Sequence, residues 1–299
     1  MATRTKIKLE PLVIDGHKVG RVLITGASAG IGAEIARAFA REGHQLTLVA
    51  RRRAKLAALA AELEREHYVD VRTIVQDLAK PTGPAAVVKA AQADGPIGIL
   101  VNNAGVIDVG AFSASRTETV VNMVNLNVRA LTELTSLVVP GMVKRGFGRI
   151  LNVASLAAFQ PVPGMAAYAA TKAYVLALTE AMSEELKGSG VTVTALCPGI
   201  TDTDMATDIQ AGSSTKLPKQ LVSDPADVAA EGVRSLMAGQ VVVVPGFPNQ
   251  MTAAWAQVTP RWLTRDVAGF AAQLVVRTHG RSSRGCSPPH GRDRTIVRF

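Results

Sequence analysis

The chain has 299 residues, of which 47% are hydrophobic and 19% are charged, a balance typical of one large globular domain. It contains no run of about 18 apolar residues, which argues against a membrane-spanning helix. The amino terminus lacks the apolar segment of a secretory signal, so we expect a cytoplasmic protein. Cys197 and Cys286 are too few for a disulfide framework.

The net charge of +9 is concentrated at the two ends of the chain. Residues 276–299 carry +5 and residues 1–21 carry +3, which leaves +1 for the body between them. A basic face on a folded domain would indicate nucleic-acid binding, whereas two basic ends are a weaker signal. We therefore expect no specific nucleic-acid partner, with salt-sensitive binding through the basic ends as an alternative.

Short apolar segments alternate with longer helical ones from Arg21 onward. The first part predicts the strand RVLIT, a glycine-rich turn, a helix that ends near Gly43, the strand QLTLVARR, a helix through RRAKLAALAAELERE and the strand VRTIVQDL. The middle predicts a helix around AAVVKAAQA, the strand IGILVNNAG, a helix across TETVVNMVNLNVRALTELTSLVVPGMVKRG and the strand GRILNVAS. The last part predicts the helix AYVLALTEAMSEELKG, the strand VTVTALCPG, a long loop, a helix in SDPADVAAEGVRSLMAG and the strand VVVVPG.

Strands that alternate with helices at this spacing predict a parallel sheet covered on both faces. We therefore expect an α/β fold, a Rossmann-like doubly wound sheet in three α/β/α layers, as a single domain at residues 21–246. Residues 1–20 form a leader, and residues 247–275 form an extension that we expect to be helical. The basic tail 276–299 is rich in Gly, Ser, Pro and Arg, which predicts a disordered segment.

Three glycines, Gly26, Gly30 and Gly32, lie in TGASAGIG between the first strand and the first helix. Glycine lets the backbone turn tightly and lets a pyrophosphate approach the helix amino terminus, where free amides point outward. A tight turn that binds nothing is the alternative for glycines taken alone.

Tyr168 precedes Lys172 by four residues in a segment whose composition and apolar spacing predict a helix. Residues four apart on a helix lie close together on one side. A nearby cation favours the phenolate and lowers a tyrosine pKa from about 10, so the pair could be a tuned proton donor and acceptor. From this segment alone, an aromatic ring packed on a lysine stem is the alternative.

Two further features follow in order: NNAG at residues 102–105, and Ser155 thirteen residues before Tyr168. Together with the glycine turn and the Tyr168/Lys172 pair, they resemble the short-chain dehydrogenase/reductase family. The match runs in sequence order from about Arg21 to Gly246, and four motifs in order are highly specific. The resemblance implies an oxidoreductase that transfers hydride between a nicotinamide cofactor and a carbonyl or CH–OH group.

The resemblance also implies a role for each side chain of the reacting centre. Tyr168 would give or take the transferable proton. Lys172 would lower the pKa of that phenol and hold the nicotinamide ribose. Ser155 would donate to the substrate oxygen and stabilise developing charge.

By the same resemblance, Asn125 in VNLNV fills the family's asparagine position and supports a water-linked proton relay to Lys172. Asn122 and Asn127 lie close enough to leave the register of this asparagine open. A polar residue on the helix surface is the alternative for Asn125.

Cofactor preference depends on the end of the second strand, LVARRR. In Rossmann-like folds an acidic residue there binds the ribose 2′-hydroxyl of NAD, whereas an arginine accommodates the 2′-phosphate of NADP. Ala50 stands where the carboxylate would be and Arg51 follows it, so we predict NADP, with NAD as the less favoured cofactor. The alternative is that Arg51–Arg53 only begin a helix. By resemblance, the predicted cofactor contacts are Gly26, Ser28, Gly30, Ile31, Gly32, Arg51, Arg52, Asp77, Leu78, Asn103, Ala104, Gly105, Tyr168, Lys172, Pro198, Gly199 and Thr201.

The loop Ile200–Val222 is long, and its place after the sixth strand suggests a substrate lid. The residues expected by analogy to face the substrate are apolar, which predicts an apolar ketone, aldehyde or acyl-type carbonyl: Val106, Ile107, Phe159, Val162 and Met165. The five histidines show no ligand spacing, so no metal site is predicted.

The resemblance further implies a homodimer or homotetramer that pairs the helices holding Asn125 and Tyr168. Apolar residues recur there at helical spacing: Leu131, Leu134, Leu137 and Val138, then Val175, Leu178, Met182 and Leu186. The apolar residues of the extension (Trp255, Trp262, Leu263, Phe270 and Leu274) would cover the domain's own surface, with a partner subunit, the substrate mouth or a membrane surface as alternatives. A non-catalytic cofactor-binding regulatory or scaffold protein is the competing function, and it would be indicated by a broken catalytic set, whereas this set is whole.

Overall fold

The computed structural model describes residues 13–14, 16–202, 222–260, 263 and 297–298. The strands in this part of the chain are β1 (Val13–Ile14), β2 (His17–Lys18), β3 (Arg21–Thr25), β4 (Leu46–Ala50), β5 (Val71–Val75), β6 (Ile97–Asn102), β7 (Val106–Ile107), β8 (Gly148–Val153), β9 (Val191–Leu196), β10 (Val242–Val243) and β11 (Val297–Arg298). The α-helices are α1 (Gly30–Arg41), α2 (Arg53–His67), α3 (Gly83–Gln92), α4 (Thr117–Val124), α5 (Leu131–Arg145), α6 (Ala166–Glu185), α7 (Pro225–Met237) and α8 (Phe247–Val258).

Seven of these strands form one parallel sheet in the order β10–β9–β8–β6–β3–β4–β5. Every residue of β3, β4, β6 and β8 is buried, as expected for a parallel sheet whose strands are nearly continuous apolar runs. Helices α1, α2 and α7 cover one face, and α3, α5 and α6 cover the other. The predicted doubly wound three-layer architecture is confirmed.

The direction of winding reverses between β3 and β6, the two central neighbours of the sheet. In open parallel sheets, ligands bind in the crevice that such a reversal leaves at the carboxyl ends of the strands. The glycine turn follows β3, NNAG spans the end of β6, and Ser155 lies two residues beyond β8. The topology therefore brings the sequence motifs to one edge of the sheet.

The long helix expected across residues 117–146 is divided into three pieces. Between α4 and α5 lies a π-helical turn, Asn125–Ala130. A π-helical turn contains about one residue more than an α-helical turn, and such turns are frequent at functional sites. It changes which side chains of VNLNVRA face the sheet.

Three segments flank the sheet. Strands β1 and β2 form an antiparallel hairpin inside the predicted leader, and α8 provides a helix in the predicted extension. Strand β11 pairs antiparallel with β7, and the other residues of the predicted tail, 276–296 and 299, lie outside the described residues. Residues 203–221 of the predicted lid lie outside the described residues, as do Trp262, Phe270 and Leu274. No helix in the described part of the chain is long and apolar enough to cross a membrane.

Candidate active site

A cavity of about 340 Å³ opens at the carboxyl edge of the sheet. Its polar lining comes from Asn103, Ser155, Gln160, Tyr168, Lys172 and Thr201. Its apolar lining includes Ile31, Ile107, Leu156, Val162, Met165 and Ile200. The three predicted reactive residues therefore share one cavity with predicted cofactor contacts.

Ser155, Tyr168 and Lys172 are held by different elements. Ser155 begins a short 3-10 turn, and its Oγ accepts a hydrogen bond from the Ala157 amide at 3.1 Å. Tyr168 and Lys172 lie one turn apart on α6, with 8% and 6% of their surfaces exposed. The Lys172 ammonium lies 5.7 Å from the centre of the Tyr168 ring and donates to the Val153 carbonyl at 2.7 Å. Strand β8 therefore fixes the lysine that the helix presents.

Burial controls the protonation of this pair. Burial raises the pKa of the Tyr168 phenol, and a hydrogen bond with Ser155 opposes that effect. Burial lowers the pKa of Lys172 to about 8. The prediction that the neighbouring ammonium lowers the tyrosine pKa below its usual value is wrong for the protein alone, because desolvation of the phenolate is the larger effect.

Asn127, and not Asn125, lies beside the reacting centre. Asn127 is 2% exposed, whereas Asn125 is half-buried. A Cβ placed on Gly105 would lie 3.3 Å from Asn127 Oδ1 and 3.6 Å from Lys172 Nζ, so these two side chains flank Gly105. The assignment of Asn125 is therefore wrong in register, because the π-helical turn brings the residue two positions later to the sheet.

The glycine turn is tied to NNAG by hydrogen bonds. The Thr25 hydroxyl accepts from the amides of Asn103 at 3.0 Å and Ala104 at 3.1 Å, and the Asn103 side chain donates to the Thr25 carbonyl at 3.0 Å. Gly26 has a φ of +66°, and a Cβ there would lie 2.8 Å from Asn103 Nδ2. At Gly32 a Cβ would collide with the same amide and approach the Gly26 carbonyl oxygen to 2.6 Å. Only glycine fits these two positions.

Helix α1 begins at Gly30, directly after this turn, and the residue before it is Ala29, whose side chain cannot cap the helix. The first amides of a helix need an external partner, and the positive end of the helix dipole favours an anion. The glycine turn and this uncapped end therefore fit a pyrophosphate.

The predicted 2′-phosphate region lies between β4 and α2. Ala50 is buried, Arg51 and Arg52 are half-buried, and Arg53 is exposed as the first residue of α2. The Arg52 Nε donates to the Ser28 hydroxyl at 3.0 Å, which connects this region to the glycine turn. Strand β4 ends at Ala50, so this position has no carboxylate that could bind a ribose 2′-hydroxyl.

The remaining predicted cofactor contacts differ in accessibility. The Asp77 carboxylate is half-buried and accepts from the Ala79 amide at 3.0 Å, while the Leu78 side chain is 4% exposed and packs in the core, so only its backbone remains for a ligand. Pro198, Gly199 and Thr201 line the cavity, and the Thr201 hydroxyl donates to the Gly199 carbonyl at 3.2 Å.

The substrate side of the cavity is partly as predicted. Ile107, Val162 and Met165 line it, whereas Val106 lines a separate small cavity beside α4 and Phe159 packs against the core. Sequence reasoning missed Gln160 and Thr25, since nothing in the alternation of apolar and polar residues marks either one. Cys197 is fully buried, and burial raises the pKa of its thiol to about 12.

These residues fit a nicotinamide dinucleotide. The glycine turn and the uncapped end of α1 suit a pyrophosphate, Arg52 is tied to that turn through Ser28, and Lys172 lies in a cavity lined also by Ile31, Asn103 and Gly105. The site also fits proton transfer to an oxygen, since a phenol and a hydroxyl meet in that cavity.

Comparison with known proteins agrees with this geometry. The family model of the short chain dehydrogenases matches residues 20–214. The chain is 37% identical to the ketoacyl reductase HetN of Nostoc sp. over 217 residues. This alignment covers 72% of this chain and 74% of that protein. The structure of a short-chain dehydrogenase from Sphingobium yanoikuyae in complex with NADPH is similar at a TM-score of 0.71 and 35% identity, over 90% of this chain and 99% of that one. The structure of a bulky-bulky ketone specific alcohol dehydrogenase from Comamonas testosteroni is similar at a TM-score of 0.69 and 31% identity, over 90% of this chain and 97% of that one. This chain belongs to the short-chain dehydrogenase family of oxidoreductases.

Proposed function

We propose that the protein interconverts an apolar ketone, aldehyde or acyl-type carbonyl and the corresponding alcohol, with NADP(H) as its cofactor. The observation that carries this proposal is the meeting of Ser155, Tyr168 and Lys172 in one largely apolar cavity at the carboxyl edge of the sheet. Loss of one of these three residues would favour a non-catalytic protein, and all three are present.

The bound nicotinamide supplies the hydride for reduction, or takes it up in oxidation. As the substrate oxygen gains charge, Tyr168 donates its phenolic proton to that oxygen and the Ser155 hydroxyl donates a hydrogen bond to it. The raised pKa of Tyr168 keeps the phenol protonated until the oxygen becomes basic enough to take the proton. Lys172, whose pKa is lowered to about 8, is suited to exchange a proton near neutral pH and so restore the phenol.

NADP rather than NAD is proposed because Ala50 ends β4 without a carboxylate and Arg51 and Arg52 follow it. A guanidinium binds a phosphate with two hydrogen bonds, while a ribose 2′-hydroxyl needs an acceptor. The relative from Sphingobium yanoikuyae, which was solved with NADPH, supports this choice.

The substrate class follows from the lining of the cavity. Among the described lining residues Lys172 is the one basic side chain, and its ammonium is held by the Val153 carbonyl. A carboxylate substrate would therefore lack a second cation to bind it, whereas an apolar carbonyl compound would bury its carbon skeleton against Ile107, Val162 and Met165. The names of the two relatives, a ketoacyl reductase and a bulky-ketone alcohol dehydrogenase, support this class.

We also propose that the protein is a homodimer or homotetramer. Apolar side chains on α4, α5 and α6 are exposed in the single chain: Val121 at 51%, Val124 at 43%, Leu137 at 44% and Tyr174 at 39%. A two-fold contact between copies would cover this surface on both subunits at once.

The experiment is a screen of apolar ketones, aldehydes and β-ketoacyl thioesters with NADPH and, separately, NADH, followed by the absorbance of the reduced nicotinamide. We expect turnover of at least one apolar carbonyl with NADPH. Binding of NADPH without turnover of any carbonyl or alcohol would favour the non-catalytic alternative.

A further inference from the structure

The guanidinium of Arg129 binds the backbone carbonyls of four consecutive residues. Nη2 donates to Leu78 O at 3.3 Å, Ala79 O at 2.9 Å and Lys80 O at 3.0 Å, and Nη1 donates to Pro81 O at 3.3 Å. A guanidinium has five donors in a fixed plane and no acceptor, so it suits a group of carbonyl oxygens that converge on one point. Arg129 thus acts as a clamp on residues 78–81.

The backbone of this segment is also tied to itself. The Asp77 carboxylate accepts from the Ala79 amide at 3.0 Å, the Asp77 carbonyl accepts from the Lys80 amide at 3.3 Å, and the Lys80 carbonyl accepts from the Gly83 amide at 3.0 Å. Four carbonyl oxygens that point toward one place repel each other, and the attraction of a cation that contacts all four offsets this repulsion. Arg129 is therefore placed to stabilise the loop conformation around Asp77.

Arg129 also forms an ion pair with Glu133, one turn further along the chain, at 2.9 Å. Both side chains are about one-third exposed, and a partly exposed ion pair of this kind contributes little to stability by itself. The contacts with the loop, rather than the pair with Glu133, are the distinctive feature.

Arg129 and Asn127 belong to the same π-helical turn, and they contact two different segments that hold predicted cofactor contacts. Asn127 hydrogen-bonds the backbone of Val106, and its side chain flanks Gly105 together with that of Lys172. Arg129 contacts the loop that carries Asp77. Residues two apart on a helix do not face each other, which lets one turn reach both places. The irregular turn thus connects the predicted adenine end of the cleft to the reacting end.

We propose that Arg129 is a positioning residue for the adenine-binding part of the cofactor site, which fixes the conformation of residues 77–81. The inference rests on the proposed function, because it assumes that a nicotinamide dinucleotide places its adenine beside Asp77. Arg129 does not touch the reacting atoms in this arrangement.

The test compares Arg129→Ala and Arg129→Lys with the wild type. Calorimetry measures the Kd of ADP-ribose and of 2′-phospho-ADP-ribose, the adenine halves of the two cofactors, and fluorescence measures the Kd of NADPH. We expect all three dissociation constants to rise by about tenfold or more in both variants, the effect of losing charge-assisted hydrogen bonds. The lysine variant keeps the charge, but one ammonium cannot span four carbonyls.

Two controls separate positioning from charge and from general damage. Glu133→Gln removes the ion pair of Arg129 and leaves its contacts with the loop. Arg72→Ala removes a positive charge elsewhere, near the amino ends of the strands, where Arg72 pairs with Asp94 at 2.7 Å. Both should keep the wild-type Kd values. Once a carbonyl substrate is known, the Arg129 variants should show a raised KM for NADPH and an unchanged kcat at saturating NADPH, a split that a purely structural defect would not produce.

Wild-type Kd values in both Arg129 variants would overturn the inference. Failure of the wild type to bind NADPH or either adenine half would overturn the proposed function as well. Hydrogen exchange at the Ala79, Lys80 and Gly83 amides in the cofactor-free protein distinguishes the two failures. Faster exchange in Arg129→Ala supports the clamp whether or not a nucleotide binds, and unchanged exchange refutes it.

Discussion

The side-chain amide of Asn127 forms a two-point contact with the backbone of Val106: Oδ1 accepts from the Val106 N–H and Nδ2 donates to the Val106 carbonyl, each at 2.9 Å. The same Nδ2 donates to the Thr171 hydroxyl at 3.1 Å, and Thr171 precedes Lys172 on α6. One buried amide thus connects the π-helical turn, the strand after NNAG and the helix that carries the reactive pair. It makes the position of Lys172 depend on three separate parts of the fold.

Replacement of Asn127 by alanine should therefore affect both stability and turnover. It leaves the buried Val106 N–H and carbonyl without partners, which should lower the free energy of unfolding by about 1–3 kcal/mol. Asn125→Ala is the matched control and should change it by less than about 0.5 kcal/mol. Urea unfolding measures the first quantity and NADPH oxidation measures turnover. Equal effects of the two substitutions would contradict the corrected register.

Tyr168→Phe should lower kcat by about 10²–10⁴, the usual contribution of a general acid, and leave the Kd of NADPH unchanged. The substitution removes only the hydroxyl that carries the transferable proton. Tyr174→Phe is the control, because Tyr174 lies on the same helix but is exposed and hydrogen-bonds Thr132 at 3.0 Å. Wild-type turnover in Tyr168→Phe would refute the assigned role.

Arg51→Ala should weaken NADPH binding by about 1.5–3 kcal/mol, the range for a hydrogen bond with a charged group, and leave NADH binding nearly unchanged. The exposed Arg53 begins α2 two residues later, so Arg53→Ala removes an equal charge without the proposed contact. Fluorescence titration with each cofactor gives both affinities. A wild type that prefers NADH, or an equal loss for the two cofactors, would show that the 2′-phosphate assignment is wrong.

The stability of the protein should fall on mild acidification because of His44. This residue is 2% exposed, burial lowers its pKa to about 4 from 6.5, and its Nε2 lies 3.7 Å from Glu42. Between these two pH values the unfolded chain binds a proton that the folded chain excludes. The free energy of unfolding therefore decreases as the pH falls through this window, by up to about 3 kcal/mol from this group.

Urea unfolding of the wild type and of His44→Gln at pH 7 and at pH 4.5 measures this effect. The difference in stability between the two proteins should shift in favour of the variant at the lower pH. A difference that is constant with pH would mean that His44 titrates alike in both states.

Light scattering should give the mass of a dimer or a tetramer at micromolar concentration, and Leu137→Arg should lower that mass. Leu137 is 44% exposed on α5, and a buried unpaired guanidinium would oppose association. Tyr68→Arg, at a 72% exposed position after α2, is the control. A wild type that is monomeric throughout the concentration range would refute the proposed assembly.

The sequence by itself determined the fold and most of the site. Alternation of buried apolar strands with helices specifies a doubly wound sheet, since fully buried parallel strands and their covering helices leave a period that is visible in the residues. The glycine turn, NNAG, Ser155 and the Tyr168/Lys172 pair were visible for a related reason, because each depends on residue type at a short fixed spacing.

Only the tertiary structure decided which asparagine faces Lys172 and how the reactive pair is protonated. The π-helical turn shifts the helix register by packing against the sheet, and no pattern in VNLNV records that shift. The protonation depends on burial, which arises only when β8, β9 and the turn after Ser155 pack against α6, so the raised pKa of Tyr168 and the lowered pKa of Lys172 could not be obtained from their spacing. Arg129 was invisible for the same reason: its four carbonyl partners lie about fifty residues earlier in the chain, and only folding brings them together.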